Sequence, residues 1–388
     1  MINNFFITMN HPLINNNHNK LREQVREFAE REVKPLAQGL DERGEFSAEL
    51  TRQMGKLGLF GMNLPEEYGG QNLDTLSYII AVEELARVDS SQAATMAAHN
   101  SLGIAPIYKY GSAEQKQRLL PKLTTGQKIW AFGLTEPNAG SDARAVETSA
   151  KLSDNQWVIN GQKVFITNSA SELSMGITLL VNTGKDMDNK EFSTILVERE
   201  QSEYKAEPIT NKMIWRAADT GRLTFRNTLA PKHNLLGKLG KGMHYMLETL
   251  DSGRLSIAAV GLGLAQGAYE MAKAYAGVRK QFGKTLSHIP AISDKLADMD
   301  IKIELARNYL YYSCWLKDNN LPFKKEAAIS KLYTSEIAKQ ISDEAVQVFG
   351  AYGLFKDNDV ERFFRDQRIL GSGEGTSEIL KLVIGRSL

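Results

Sequence analysis

The sequence predicts a mainly α-helical chain in which an antiparallel β domain lies between two helical domains. Apolar residues recur at helical spacing from about 21 to 129 and again from 243 onward, while the segment between them shows the period of two expected of strands. The chain has 388 residues, more than the roughly 100–200 of one domain, so several compact units are expected. With 42% hydrophobic and 24% charged residues it has the composition of a globular protein with a large core.

Residues 1–20 are rich in Asn and read as a flexible N-terminal arm. They carry no basic segment and no Arg, so neither a signal nor a transit peptide is expected. An N-terminal helical domain spans 21–129, opening on the stripe Leu21, Val25, Phe28 and Ala29. Within it, 65–70 reads as a turn-rich loop, and 77–88 and 113–123 as short helices. The period changes near Trp130, and a middle β domain spans 130–237. There, strands 156–159 and 162–167 are expected to form a hairpin through Asn160-Gly161, a dipeptide that readily takes the positive φ angles of a two-residue turn. Further strands fall at 177–181, 192–197 and 223–225. The C-terminal domain, 238–388, carries long amphipathic stretches at 254–276, 289–317 and 324–349 and a terminal one at 376–384, the pattern of a helical bundle.

Charge and cysteine usage exclude several functions. The 47 Lys and Arg balance 46 Asp and Glu, leaving a net charge of +1 and no global field to attract nucleic acid. Cys314 is the single cysteine and sits among Tyr311, Tyr312, Trp315 and Leu316, which suits a buried thiol and excludes an intramolecular disulfide or thiolate cluster. Of the six histidines only His244 has a carboxylate at helical spacing, Glu248, so no zinc ligand set is expected. No apolar run approaches the ~18 residues of a membrane span. The expected compartment is the cytoplasm.

Three segments invite a chemical reading. Gly261-Leu262-Gly263-Leu264-Ala265-Gln266-Gly267 approaches a dinucleotide fingerprint, but its third glycine is displaced and the run lies within a helical pattern, so close helix packing is the better reading. Gly133-Leu134-Thr135-Glu136-Pro137-Asn138-Ala139-Gly140-Ser141-Asp142 offers hydroxyls and free backbone N–H groups. It reads either as a wrap for a polar heterocycle or phosphate, or as a turn capped by Ser141 and Asp142. Gly371-Ser372-Gly373-Glu374-Gly375-Thr376-Ser377-Glu378 sets a carboxylate before a helix. Glu374 is either a partly buried base with a raised pKa or a solvated loop residue.

Taken together, the segments resemble the acyl-CoA dehydrogenase family. The 133–142 run resembles its first signature, and Gln347-Val348-Phe349-Gly350-Ala351-Tyr352-Gly353, followed by Glu361-Arg362 and Arg365-Asp366, its second. Phe165-Ile166-Thr167-Asn168, Leu250-Asp251-Ser252-Gly253-Arg254, Arg279-Lys280-Gln281-Phe282-Gly283 and Glu374-Gly375-Thr376-Ser377-Glu378-Ile379 follow in family order, and the likeness runs from about Leu21 to Leu388. It implies a middle β-barrel, a C-terminal four-helix bundle, and FAD held between these two domains and reached by a neighbouring subunit. By this resemblance Thr135, Ser141, Phe165 and Thr167 line the flavin, and Thr376 binds it beside the base. Phe282, Gly350 and Glu378 belong to the cofactor site, and Arg279 and Gln347 from a neighbouring subunit hold the pyrophosphate and adenosine portion. Asp251 and Arg254 contact coenzyme A, and Gly375 lies at the substrate.

The implied reaction is α,β-dehydrogenation of an acyl-CoA thioester. Glu374 takes the α-proton while a hydride leaves the β-carbon for flavin N5, giving the trans-2-enoyl product, and electrons pass on to an electron-transfer flavoprotein. The implied assembly is a homotetramer, a dimer of dimers, with no nucleic-acid, membrane or metal partner. The chain departs from the family pattern at Gly373, commonly Tyr in short- and medium-chain members, and at Phe165, often Trp. It departs again at Ala351, usually Gly, and at Ile214-Trp215, in a stretch that usually contains glycine. Some branched-chain members carry their base where this chain has Gly253, which leaves Glu374 without a rival. Alternatives within the family are an acyl group on a carrier protein, reoxidation by oxygen, and a flavin-containing DNA-binding relative.

Overall fold

A computed structural model describes residues 11–184 and 190–388. Helix α1, Asn16–Phe28, is started by Asn15, whose side chain accepts from the N–H groups of Asn17 and His18 while the His18 ring receives the Asn15 N–H. The chain is therefore helical well inside the arm expected to be flexible. His18 is buried there, with its Nε2 3.0 Å from Asp74. Residues 1–10 of that arm lie outside the described residues. A π-helical turn leads into α2, Lys34–Arg43, and then follow α3 (Ala48–Lys56), α4 (Thr75–Ala86), α5 (Ser90–Ala98), α6 (Ala105–Tyr110) and α7 (Ala113–Thr124). Every residue of α4 is buried, as expected of a helix with no polar face.

The middle region forms one sheet from β1 (Ile129–Gly133), β2 (Ser149–Ser153), β3 (Gln156–Thr167), β4 (Ser174–Asn182), β5 (Phe192–Glu198), β6 (Lys205–Pro208), β7 (Thr220–Pro231) and β8 (Leu235–Leu236). Its order is β6-β7-β3-β2-β4-β5-β8, with β1 paired to β4. β1 and β2 run parallel to β4 and the other ladders are antiparallel, a mixture that alternation alone does not reveal. Trp157, Ile159, Ile166, Ile177 and Phe225 fill a core of its own.

The expected Asn160-Gly161 hairpin is absent, because β3 runs straight through that dipeptide. The turn lies at Asp154-Asn155, with φ of 49° and 63°, and joins β2 to β3 in a ladder that closes at Ser153 and Gln156. Asp-Asn tolerates the two positive φ angles that such a turn demands. Gly161 is required for a different reason: the register with β7 shifts there, and a Cβ would lie 2.5 Å from the Thr148 hydroxyl.

The C-terminal region contains α8 (Gly242–Val278), a small hairpin of β9 (Lys280–Gln281) and β10 (Lys284–Thr285), then α9 (Pro290–Asp318), α10 (Lys324–Phe349), α11 (Val360–Asp366) and α12 (Ser377–Gly385). The glycine run lies inside α8. Cβ atoms at Gly263 and Gly267 would sit 2.2 Å and 2.1 Å from the carbonyl oxygens of Glu83 and Arg87, so these glycines bring α8 against the end of α4. Leu76, Ile79 and Ile80 of α4 share one continuous core with Leu255 and Leu262 of α8, Tyr311 of α9 and Ile337 of α10. Cys314 is buried in that core, which pushes its thiol pKa up. The two helical regions are therefore joined through one continuous core.

Candidate active site

Glu374 lies on the short loop before α12. Thr376 caps that helix, its hydroxyl accepting from the Ile379 N–H at 3.3 Å. Glu374 and Gly375 have φ of 53° and 105°. Glycine takes such angles freely, whereas a glutamate there costs of order 1–2 kcal/mol, which the surrounding packing must offset. The residue as a whole is half-buried, yet Oε2 is fully buried and has no hydrogen-bond partner. That oxygen faces α8 at Gly253, where a Cβ would lie 2.2 Å from it and 3.0 Å from Leu102 Cδ2. The glycine makes the room that the carboxylate occupies. Gly253→Ala should displace the carboxylate and lower turnover by about 10-fold or more, since misplacement near 1 Å can cost ~10²-fold. Steady-state kinetics on the folded, flavin-loaded variant check this, and unchanged turnover would show that the contact is slack.

Burial pushes the Glu374 pKa up to about 7, against the opposing pull of Lys331 and then Arg254. Arg254 is buried on α8 and paired with Asp251 one turn earlier, while its Nε has no partner. Burial raises the Asp251 pKa, and Arg254 pulls it back. Lys331 is fully buried on α10 and donates from Nζ to the Gly375 carbonyl at 2.7 Å. Burial lowers its pKa to about 8, although the Glu374 carboxylate acts to raise it. From α4, Tyr78 reaches the same place, its hydroxyl donating to Ser256 Oγ at 3.0 Å. Lys331, Tyr78 and Ser256 were not foreseen from sequence. The available signal was Lys331 itself, a cation on a face of α10 otherwise made of Ala327, Ala328, Ser330, Thr334 and Ser335, all buried.

The 133–142 segment is held by a buried ion pair. Lys163 of β3 donates to the Glu136 carboxylate at 2.7 Å and to the Leu134 carbonyl at 3.0 Å. Glu136 also accepts from the N–H groups of Glu147 at 2.7 Å and Thr148 at 3.1 Å. Burial works against the charge on Glu136, but Lys163 together with the Thr148 and Glu147 hydrogen bonds outweighs it and the pKa lies below the usual carboxylate range. Asp142 caps the following short helix at the Arg144 N–H, 3.1 Å away, whereas Ser141 is exposed and caps nothing among the described residues. The capped-turn reading thus holds for Asp142 and not for Ser141. Thr135 and Thr167 are half-buried, and their hydroxyls have no partner among the described residues.

Phe165 has φ of 60° and is 69% exposed near the end of β3. Such a φ on an aromatic residue is a strained arrangement of the kind found at ligand sites. Trp215 has φ of 43°, which explains why glycine suits that stretch, and its backbone N–H donates to Asp366 Oδ1 at 2.8 Å. An exposed aromatic face, unpartnered hydroxyls and a rigid loop fit a planar group with polar edges, as a flavin is. Glu378 is exposed in the first turn of α12, where its own N–H and the Thr376 hydroxyl hold its pKa below the usual range.

Arg279, Phe282, Gln347 and Gly350 do not join Glu374 in this chain. Arg279 follows α8, its guanidinium 5.6 Å from the centre of the Tyr352 ring, and Tyr275 stacks on Phe349 nearby. Phe282 is 92% exposed at the tip of the β9–β10 hairpin, with φ of 50°, and Gly350 has φ of 61° at the end of α10. Roughly 26 residues of helix separate Gly253 from Arg279, or roughly 39 Å at about 1.5 Å per residue. These four residues therefore lie at the far end of the bundle from the carboxylate. Among the described residues no group of three or more His, Cys, Asp and Glu could hold a metal ion, and no helix is long and apolar enough to cross a membrane.

Known proteins resemble this chain along nearly its whole length. The N-terminal, middle and C-terminal domain models of acyl-CoA dehydrogenase match residues 15–127, 131–228 and 240–388. The short-chain specific acyl-CoA dehydrogenase of Clostridium acetobutylicum is 43% identical over 364 residues, 94% of this chain and 96% of that one. The structure of butyryl-CoA dehydrogenase from Megasphaera elsdenii superposes with a TM-score of 0.92 at 37% identity, covering 96% of this chain and 98% of that one. An acyl-CoA dehydrogenase complexed with FAD from Bacillus anthracis gives a TM-score of 0.90 at 32% identity, covering 96% of this chain and 66% of that one. Matched along nearly its whole length by these relatives and by all three domain models, the chain belongs to the acyl-CoA dehydrogenase family, whose members are FAD-dependent oxidoreductases.

Proposed function

We propose that the protein removes hydrogen from the α and β carbons of an acyl-CoA thioester, with Glu374 as the base. The observation that carries this reading is the buried, unpartnered Oε2 of Glu374 beside Gly253. A carboxylate in water is too weak a base for a thioester α-proton, so the site must exclude solvent and stabilise developing enolate charge with fixed donors. Burial strengthens Glu374 as a base, and the Glu374–Gly375 backbone turn brings main-chain N–H groups to the same loop. When bound, FAD supplies the hydride acceptor. Thr135, Ser141, Phe165, Thr167 and Thr376 are the residues of this subunit proposed to hold it, and Asp251, Arg254 and Gly375 those proposed to receive the thioester and its coenzyme A portion. Relatives named for short-chain and butyryl substrates make butyryl-CoA the first thioester to test.

The base must be ionised to act, so flavin reduction should speed up as pH rises through about 7 and level off above it. Anaerobic stopped-flow mixing with butyryl-CoA across that range measures the profile. A rate independent of pH on both sides of the midpoint would remove Glu374 from this role.

The reading includes a homotetramer that passes electrons to an electron-transfer flavoprotein. The distance from Glu374 to Arg279 supports sites completed between subunits, since an exposed guanidinium at the far end of one bundle is free to meet the pyrophosphate of a neighbour's FAD. Arg279→Ala should therefore weaken FAD retention by about 10-fold and loosen the assembly with it, as checked by FAD release and light scattering. Unchanged retention would exclude this role.

A further inference from the structure

We propose that Lys331 is the positioning residue of the proton-abstracting loop, fastening the backbone beside Glu374 and holding a positive charge near the carboxylate without bonding to it. The proposal rests on the reading of Glu374 as the base and names a residue through which that base is set.

An ammonium has three N–H donors. On Lys331 one of them goes to the Gly375 carbonyl at 2.7 Å, inside a site where the side chain has no exposed surface. The carbonyl it grips belongs to the residue with φ of 105°, directly after the residue with φ of 53°, so the bond fixes the strained pair that turns the carboxylate inward. A buried cation usually pairs with a carboxylate, because desolvation is otherwise too costly. Here, among the described residues, no carboxylate lies within 4.0 Å of Lys331, and Glu374 Oε2 has no partner. Both groups are left spare beside one another. A bonded ammonium would occupy the lone pair that must receive the proton. One held slightly away stabilises the ionised carboxylate through space and leaves that lone pair free.

The charged and titratable groups around Glu374 are few. Lys331 faces it from α10, Arg254 from α8 and Tyr78 from α4. Arg254 is committed to Asp251, and Tyr78 to Ser256. Lys331 itself is faced by Glu374, Arg254 and Glu336. Among the described residues it is therefore the one nearby cation whose hydrogen bonding goes to the catalytic loop.

Three variants of the FAD-loaded enzyme test this. Lys331→Met removes charge and donor, Lys331→Gln keeps a donor but no charge, and Lys331→Arg keeps both. Two readouts are taken: the pH midpoint of anaerobic flavin reduction by butyryl-CoA, and the ¹³C NMR titration of the Glu374 carboxyl, assigned with Glu374→Gln. A cation within several ångströms shifts a carboxyl by about one unit or more. Both midpoints should therefore rise by about one unit in the Met and Gln variants and return close to wild type in the Arg variant. Reduction below the midpoint should slow by about 10-fold in the neutral variants, with KM changed much less than kcat. If Lys331→Met fails to retain FAD, Lys331→Gln, which keeps the donor, gives the same comparison. Neutral variants with wild-type midpoints would overturn the proposal, as would an Arg variant whose NMR midpoint follows that of the Gln variant. The NMR titration needs no turnover. A wild-type enzyme that no thioester reduces would defeat the reading of Glu374 as base and still leave the coupling of Lys331 to Glu374 measurable.

Discussion

Glu374→Gln should keep FAD and bind thioester yet reduce its flavin at least ~10²-fold more slowly, the loss expected when a general base is removed. The amide has nearly the size of the carboxylate and leaves the Gly253 gap filled, so the loop, the Thr376 cap and the Lys331 contact all persist. Only the proton acceptor is lost. Glu378→Gln is the control. Its carboxylate is exposed and held by its own N–H and by Thr376, and its loss should change the rate by less than about threefold. Rapid-mixing reduction measured side by side checks both. Equal rates for wild type and Glu374→Gln would assign proton abstraction to another residue.

The second large effect is on stability. Glu136→Ala should destabilise the protein by about 3 kcal/mol, because breaking a buried pair strands the remaining charge. Lys163 has no exposed surface, and the N–H groups of Glu147 and Thr148 would lose their acceptor as well. Burial already lowers the Lys163 pKa to about 8, so without Glu136 the lysine can shed its proton, which limits the cost. The 133–142 loop would loosen along with the pair, so FAD retention should fall too. Thermal melting followed by circular dichroism measures the loss, and a variant that melts with wild type would show that the pair is dispensable.

Much of this architecture was legible in one dimension. The long helices reveal themselves through apolar period, and the glycine run of α8 through its place inside one of them. Glu374 stands out because glycines surround it just before a helix start. Other features depend on geometry that no local pattern carries. Asn160-Gly161 has the composition of a turn, yet Asp154-Asn155 makes the turn, because strand pairing decides which dipeptide lies at the end of the ladder. Asn15 starts a helix within a polar arm, since one cap and a buried contact from His18 to Asp74 outweigh the composition. Lys331 and Gly253 lie roughly 40 and 120 residues from Glu374 along the chain, and their meeting is a product of α8 and α10 packing side by side. The four residues from Arg279 to Gly350 carry the family pattern, but only the structure shows that one chain cannot bring them to Glu374.

Dehydrogenation of an acyl-CoA thioester is tested by anaerobic titration of the purified wild-type flavoprotein with butyryl-CoA and longer saturated acyl-CoA thioesters, with the product identified by mass. At least one thioester should bleach the flavin's visible absorption and leave as the enoyl-CoA two hydrogens lighter, one product for each flavin reduced. A flavin that stays oxidised with every thioester of the series, in an enzyme that retains FAD, would contradict it.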